Sequence, residues 1–174
     1  MDILVSSNLE RLIFHLLGNS AEKTADLMKS LNQHGQYELT DFAPAILELF
    51  AAEYATEVET AAEIKRVYEA SNYIEDPHTA VASAVYQKYR TKTGDDTKTV
   101  VVSTASPYKF PVVAVEAVTG QTGLSDFEAL AQLHDLTGVS IPAAVDGIET
   151  AEVRHKIIVA ADQMQAAVEK DLGL

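Results

Sequence analysis

Short hydroxylated side chains follow a β-branched run past the middle of the chain, and they are the residues best placed for chemistry. The run Thr99-Val100-Val101-Val102 predicts a strand over 99–103 that is buried on both faces. Ser103, Thr104 and Ser106 then offer hydroxyls, and Lys109 offers one positive charge. Open α/β sheets bind ligands at the carboxyl ends of their strands, where this loop would lie. The alternative interpretation is an ordinary strand-to-helix connection with a capping serine.

A second polar corner follows a short apolar segment at the start of the chain. Residues 2–5 predict a short strand, and the next three residues, Ser6-Ser7-Asn8, favour a helix start. Asn8 and Arg11 are three residues apart, so they can face the same direction on that helix. We expect the two corners, 5–11 and 103–110, to lie close together at the ends of neighbouring strands. The alternative is a plain helix cap beside a surface arginine.

Apolar residues at helical spacing dominate the rest of the chain and predict that most of it is helical. The length of 174 residues fits a single domain over 1–174. With the two strand-to-helix corners, the fold class indicated is α/β, predominantly helical, with few short parallel strands. Capping residues, glycines and prolines set the predicted helix ends. The predicted helices span 9–17, 20–34, 40–50, 56–72, 77–91, 111–118, 125–136 and 150–172, of which the last is the longest.

Composition excludes several classes of function. The chain has 26 acidic and 13 basic residues, a net charge of -13, which argues against binding to nucleic acid or to anionic membranes. It has no cysteine, so disulfides and thiolate catalysis are excluded. The five histidines lack metal-ligand spacing, and we expect no metal site. The start lacks the features of a signal peptide and no apolar run could span a bilayer, so we expect a cytoplasmic protein.

Three segments resemble motifs of the threonine synthase family, in its long-chain branch. The segment Val102-Ser103-Thr104-Ala105-Ser106-Pro107-Tyr108-Lys109-Phe110-Pro111 is similar to a signature near the carboxyl end of that family. The segment Asp76-Pro77-His78-Thr79-Ala80-Val81-Ala82 resembles its Asp-Pro-His-x-Ala motif. The first twelve residues resemble its Met-Asp-Ile-x-x-Ser-Ser-Asn-x-Glu-Arg segment. The resemblance runs from residue 1 to about 120 and is weak beyond Gly120.

This resemblance implies a fold and an activity. The fold would be the carboxyl-terminal part of a fold type II (tryptophan-synthase-β-like) pyridoxal-phosphate enzyme. The activity would be the conversion of O-phospho-L-homoserine and water to L-threonine and phosphate, the reaction of a lyase. By resemblance, the hydroxyl of Thr104 would bond the pyridine nitrogen of the cofactor, with Ser103 as the alternative donor and Ala105 beside them. Lys109, Asn8 and Arg11 would be candidates for binding the anionic substrate.

The resemblance also implies what these residues do not include. The Schiff-base lysine and the glycine-rich phosphate loop of the family lie upstream of its Met-Asp-Ile segment. We therefore expect a carboxyl-terminal fragment with no catalytic residue of its own, which is inactive and binds no pyridoxal phosphate by itself. Its strands would expose a surface prone to self-association. The alternative function is a non-catalytic helical interaction or regulatory module derived from this family.

Overall fold

The computed structural model describes residues 5–154 and 156–174, and within them the regular structure is helical. These residues form eight α-helices, which are α1 (Ser7–Leu16), α2 (Ala21–His34), α3 (Ala43–Leu49), α4 (Glu57–Ser71), α5 (Pro77–Thr93), α6 (Pro111–Thr119), α7 (Asp126–Thr137) and α8 (Met164–Leu172). Short 3-10 helices span Thr40–Phe42, Pro107–Lys109, Ile148–Thr150 and Ala161–Gln163. None of the helices in this part of the chain is long and apolar enough to cross a membrane.

Side-chain caps fix where the helices begin, as the sequence predicts. Ser6, Ser20 and Asp76 accept backbone N–H bonds at the starts of α1, α2 and α5. Thr56 and Ser125 each form a full capping box with the glutamate three residues later. The predicted helices that these residues begin are confirmed to within about two residues at each end, which is the scatter normal for helix assignment.

The first compact unit, residues 1–139, is built on helix pairs that bury apolar side chains. Helix α4 packs on α5 and α6, α6 packs on α7, and α1 packs on α2. The buried apolar side chains of these helices include Ile13, Ile64, Ala80, Ala84, Ala114, Val115, Ala129, Leu130 and Leu133. Several are alanines, which let neighbouring helix backbones approach closely.

An ion pair and a cap join α4 to α5 at the surface. Lys88 Nζ lies 2.8 Å from Glu59 Oε1 and donates to the Tyr54 carbonyl oxygen, also at 2.8 Å. The bond from Lys88, followed by the capping bonds from Thr56, lowers the pKa of Glu59 to about 2. This glutamate therefore stays ionised in the folded chain well below neutral pH, and the link between the two helices persists there.

The second compact unit, residues 140–174, corrects the prediction of a long helix over 150–172. Only residues 164–172 are α-helical, and His155 lies outside the described residues. The β-branched run Ile157-Ile158-Val159 disfavours helix, and Ile158 is 95% exposed. No described residue of this unit is buried, so the apolar stripe gains no packing to offset the cost of ordering a helix. The expectation of one domain over 1–174 stays a prediction.

The predicted strand over 99–103 is also not formed. Within residues 5–154 and 156–174 no segment is assigned as a strand, and residues 3 and 4 of the first predicted strand lie outside them. Val100 and Val102 are 85% and 69% exposed. A strand needs a hydrogen-bonded neighbour as well as β-branched residues, and no described segment pairs with this one. The prediction of short parallel strands is therefore wrong for the described residues.

Truncation of Ile64 tests the importance of α4 in this core. Ile64 is fully buried, so Ile64→Ala should lower the free energy of unfolding by about 2–5 kcal/mol through lost burial and the cavity left behind. The measurement is urea unfolding followed by circular dichroism at 222 nm. Val58→Ala on the same helix removes a side chain that is 80% exposed and should change stability by less than about 0.5 kcal/mol. Equal losses in the two variants would contradict the packing described here.

Candidate functional site

The start of α5 is the fixed point of the candidate site. Asn72 ends α4 in the left-handed conformation, with φ of 59°, which asparagine tolerates better than most residues. The chain then turns through three residues to Asp76, which is 1% exposed. Asp76 Oδ1 accepts from the backbone N–H of His78 at 2.9 Å and of Thr79 at 3.4 Å. This cap and Pro77 at the first helical position set the direction of α5.

A series of hydroxyls connects that cap to the loop that follows residue 102. The Thr79 hydroxyl bonds Asp76 Oδ2 through a short contact, and Thr79 Oγ1 lies 3.2 Å from Ser103 Oγ. The Tyr73 hydroxyl lies 3.4 Å from the same serine oxygen. Ser103 therefore contacts one residue that precedes Asp76 in the sequence, Tyr73, and one that follows it, Thr79.

A ring contact joins the same two segments. The His78 and Phe110 ring centroids are 5.0 Å apart, and both side chains line a small cavity of about 240 Å³. His78 Nδ1 lies 3.2 Å from Asp76 Oδ1, which fixes the orientation of the imidazole. The structure thus brings together two of the three sequence motifs, 76–82 and 102–111.

The far end of the loop is anchored by Tyr108. Its side chain is 5% exposed, and its hydroxyl donates to the Val139 carbonyl oxygen at 2.6 Å. Ser106 accepts the backbone N–H of Tyr108 at 3.3 Å, so it is the capping serine that the alternative interpretation of this loop predicts. The loop between Ser103 and Tyr108 is consequently fixed at both ends.

Thr104 lies between these anchors with its hydroxyl available. The residue is exposed, and among the described residues its hydroxyl has no hydrogen-bond partner. Ala105 is half-buried next to it. Lys109 is exposed, with Nζ 5.9 Å from the centroid of the Phe110 ring. A free hydroxyl on a held backbone suits the donation of one hydrogen bond to a ligand.

Asn8 and Arg11 lie on α1 and contact each other. Arg11 Nη2 donates to Asn8 Oδ1 through a short contact, so the spacing of three does place them together. Arg11 also lines a groove of about 950 Å³ between α1 and α2. Among the described residues that line this groove, none belongs to 103–110. The shared cleft of the two corners stays a prediction.

A buried acidic pair lies behind the site. Glu63 accepts two bonds from Arg66, at 2.6 and 2.7 Å, and one from the Ser83 hydroxyl at 2.6 Å. The Arg66 bonds lower the pKa of Glu63 in spite of its burial. Glu75 is also 6% exposed, and its Oε2 has no hydrogen-bond partner among the described residues. Burial, and then repulsion by Glu63, raise the pKa of Glu75.

Sequence reasoning missed several residues that the structure places at the site. The motif that contains Asp76 and His78 can be identified in the sequence, but it does not indicate a link to Ser103. The aspartate-to-threonine spacing of three could have indicated that Thr79 bonds its cap. Tyr73 and Tyr108 carry no such signal, because their partners are distant in sequence. Within the described residues, no three histidine or acidic side chains are arranged to hold a metal ion.

Comparisons with known proteins agree on one family. A sequence model of the family described as "Threonine synthase, C-terminal" matches residues 79–168. The chain is similar to the threonine synthase of Pseudomonas aeruginosa, with 33% identity over 122 residues that cover 70% of this chain and 26% of that protein. It is similar to the threonine synthase of Saccharomyces cerevisiae, with 29% identity over 190 residues that cover 99% of this chain and 35% of that protein.

A solved structure gives the same result. The chain is similar to PLP-bound threonine synthase from Brucella melitensis, with a TM-score of 0.53 and 31% identity over 80% of this chain and 29% of that one. The chain thus spans about a quarter to a third of the length of these three proteins, from 26% to 35%. The family match continues to residue 168, well beyond the limit near residue 120 that the motifs indicate.

Replacement of Glu75 tests the cost of its burial. The pKa of Glu75 in the folded chain is raised above its ordinary value of 4.5. The fold is therefore most stable with respect to this group below pH 4.5, where the carboxyl is uncharged, and it loses stability as the pH rises through the raised pKa. Glu75→Gln should therefore be more stable than the parent by about 1 kcal/mol at pH 8, with a difference near zero at pH 4. The measurement is urea unfolding at the two pH values.

The matched control for this prediction is Glu69→Gln on the exposed face of α4. The Glu69 side chain is 63% exposed and pairs only at the surface, with Lys65 at 3.8 Å. Its replacement should change stability by less than about 0.5 kcal/mol. A Glu75→Gln variant with the same stability difference at pH 4 and pH 8 would contradict the raised pKa.

Proposed function

The chain belongs to the threonine synthase family, and we propose that it supplies the carboxyl-terminal part of a pyridoxal-phosphate-dependent threonine synthase. The proposed reaction forms L-threonine and phosphate from O-phospho-L-homoserine and water, in the cytoplasm. The proposed parent fold is fold type II. The similarity to a PLP-bound threonine synthase over 80% of the chain supports a cofactor of this kind.

One observation supports the assignment of cofactor binding to particular residues. The two family motifs meet at Thr79 and Ser103, and this contact leaves the neighbouring Thr104 hydroxyl exposed and without a partner among the described residues. The residues present therefore fit a ligand that accepts one hydrogen bond. Thr104 is proposed to donate to the pyridine nitrogen, with Ser103 and Ala105 alongside.

The type of donor matters for the chemistry. Pyridoxal phosphate, when bound, supplies an electron sink for negative charge that develops on the substrate. A threonine hydroxyl donates a hydrogen bond to the ring nitrogen and keeps its own proton, whereas a carboxylate would hold a proton on that nitrogen. Thr104 would in this way orient the ring and moderate its electron demand. The lysine that completes such a site is expected outside the matched segment, so we propose that the isolated chain is inactive.

Charge supports a role for Lys109 in substrate binding. The chain has a net charge of -13, which repels an anionic substrate unless a local cation compensates. Lys109 is exposed on the same anchored loop, two residues after Pro107. It would act as a point charge toward the phosphate or carboxylate of the substrate. Asn8 and Arg11 are proposed as further contacts, provided that their corner reaches the same cleft.

The exposed apolar side chains of residues 99–102 support the proposal that another part of the protein covers this segment. Two valines of this segment are more than two-thirds exposed, and β-branched runs of this kind are typical of interior strands. We propose that strands of the amino-terminal part of a threonine synthase cover this face. Self-association of the chain is the alternative, and a size-exclusion elution volume that falls with rising protein concentration would indicate it.

A fusion protein tests the proposed function. In it, this chain replaces the segment of Pseudomonas aeruginosa threonine synthase that it matches, and the intact enzyme is the control. The fusion should bind pyridoxal phosphate, seen as visible absorbance that persists after dialysis, and should release phosphate from O-phosphohomoserine. The isolated chain should do neither. A folded fusion that fails in both respects would contradict the proposal and favour a non-catalytic helical module.

Thr104→Val in this fusion should reduce turnover by about 100-fold and change the cofactor absorbance spectrum, because a preorganised hydrogen-bond donor is lost without a change in side-chain size. Thr104→Ser keeps the hydroxyl and should retain most of the activity. Steady-state kinetics and an absorbance scan measure both effects. Unchanged kinetics and an unchanged spectrum in Thr104→Val would remove this residue from the site.

Lys109→Met in the same fusion should raise the Michaelis constant for O-phosphohomoserine by about 10-fold, since one charge-assisted contact is lost. Its turnover number should change less. Lys92→Met removes an exposed lysine from the last turn of α5 and serves as the control. If Lys109→Met lowers only the melting temperature, the lysine has a structural role.

A further inference from the structure

The link between α5 and the 103–105 backbone passes through a single buried hydroxyl. Thr79 is 4% exposed and Asp76 is 1% exposed, so this part of the link is dry. Thr79 Oγ1 contacts the Asp76 carboxylate on one side and lies 3.2 Å from Ser103 Oγ on the other. The Tyr73 hydroxyl completes the set at 3.4 Å from Ser103 Oγ.

Proton counting gives these contacts a direction. A carboxylate only accepts hydrogen bonds, whereas a threonine hydroxyl has one proton and two lone pairs. The short contact to Asp76 is the charge-assisted one, so it takes the Thr79 proton. The Ser103 hydroxyl must then donate to Thr79 Oγ1 and can accept from Tyr73. Ser103 is thereby held in one orientation, with its own proton directed at α5.

Few other hydrogen bonds hold the backbone around Ser103 and Thr104. Among the described residues, the backbone N–H groups of 98–104 make no hydrogen bond, and no strand pairs with the segment. Thr97 is the last residue before it with a bonded N–H, which donates to Asp95 at 2.9 Å. After residue 103, the next hydrogen bonds are those of Ser106, which accepts the Tyr108 N–H at its hydroxyl and the Lys109 N–H at its carbonyl oxygen. The side-chain contacts of Ser103 are therefore the tether nearest to Thr104, and the contact with Thr79, at 3.2 Å, is the shorter of the two.

We infer that Thr79 is a positioning residue whose hydroxyl, anchored on Asp76, holds Ser103 and so sets the backbone that presents the Thr104 hydroxyl. The consequence for the cofactor rests on the proposed function, whereas the tether itself does not. Asp76 has two tasks in this arrangement: it caps α5 and it orients the hydroxyl that reaches the loop. The motif at 76–79 thus acts on the site through residue 103.

The tether is tested on the chain itself by NMR relaxation. In the parent, the backbone order parameters of Ser103 and Thr104 should lie near those of rigid structure, at about 0.85, and Thr79→Val should lower them to below about 0.6. Thr79→Ser, which keeps the hydroxyl, should restore them. Thr24→Val is the matched control, because Thr24 is also buried and its hydroxyl bonds within its own helix, to the Ser20 carbonyl oxygen at 2.9 Å. It should leave both order parameters unchanged.

A second variant covers the case in which Thr79→Val does not fold. Ser103 is exposed, so Ser103→Ala removes the other end of the tether without a cavity in the core. It should mobilise Thr104 to the same degree as Thr79→Val, and the double variant should be no more mobile than either single one. Order parameters of Thr104 that are equal in the parent and in Ser103→Ala would overturn the inference.

The consequence for the site is tested in the fusion with the Pseudomonas aeruginosa enzyme. Thr79→Val should shift the cofactor absorbance in the same direction as Thr104→Val and lower turnover by about 10-fold, with Thr79→Ser close to the parent. A mobile Thr104 with an unchanged spectrum would overturn the link to the cofactor. A parent fusion that binds no pyridoxal phosphate would contradict the proposed function alone, since the NMR result still decides whether Thr79 holds the loop.

Discussion

The buried carboxylate of Asp76 is the contact that both the helical core and the candidate site depend on. Within three residues it accepts two backbone N–H bonds that begin α5, and it accepts the Thr79 hydroxyl that reaches the loop. Helix α5 in turn packs on α4, which also packs on α6. A single side chain therefore couples the direction of a core helix to the position of Ser103. Loss of this carboxylate would be felt in stability and in site geometry together.

Two buried glutamates beside this contact differ in how far their negative charge is compensated. Glu63 is buried, but Arg66 binds it with two parallel bonds and Ser83 adds a third, so its charge is satisfied. Glu75 is equally buried next to it and has an oxygen without a partner among the described residues. Its pKa is raised because the neighbouring negative charge adds to the cost of burial. The segment from 75 to 79 consequently combines a strong cap with a local electrostatic cost, and its Thr79 contacts Ser103 of the proposed cofactor loop.

Sequence reasoning succeeded where the determining interactions are local. The starts of α4, α5 and α7 follow from capping side chains within three residues, and they were predicted from those spacings. It failed where a partner was needed. Among the described residues, the run at 99–102 has no strand beside it, and none of the side chains at 150–163 is buried. In the site, the hydroxyl-rich loop and the motif at 76–82 could be identified, but the contact between them could not. Thr79 and Ser103 are 24 residues apart, and only the packing of α5 brings them together.

The two failures share a physical cause that also bears on function. An apolar or β-branched pattern predicts that a segment is stable when it is buried. It does not predict whether the same chain or another part of the protein covers it. Val100 and Val102 have the side chains of an interior strand and the exposure of a surface loop. Relatives that are three to four times as long as the matched segment contain far more protein with which to surround it. The hydroxyl tether at Ser103 is independent of such surroundings, because all its members lie within 73–103. It can therefore hold the loop in place before any strand pairs with it, which would leave the Thr104 hydroxyl preorganised for its ligand.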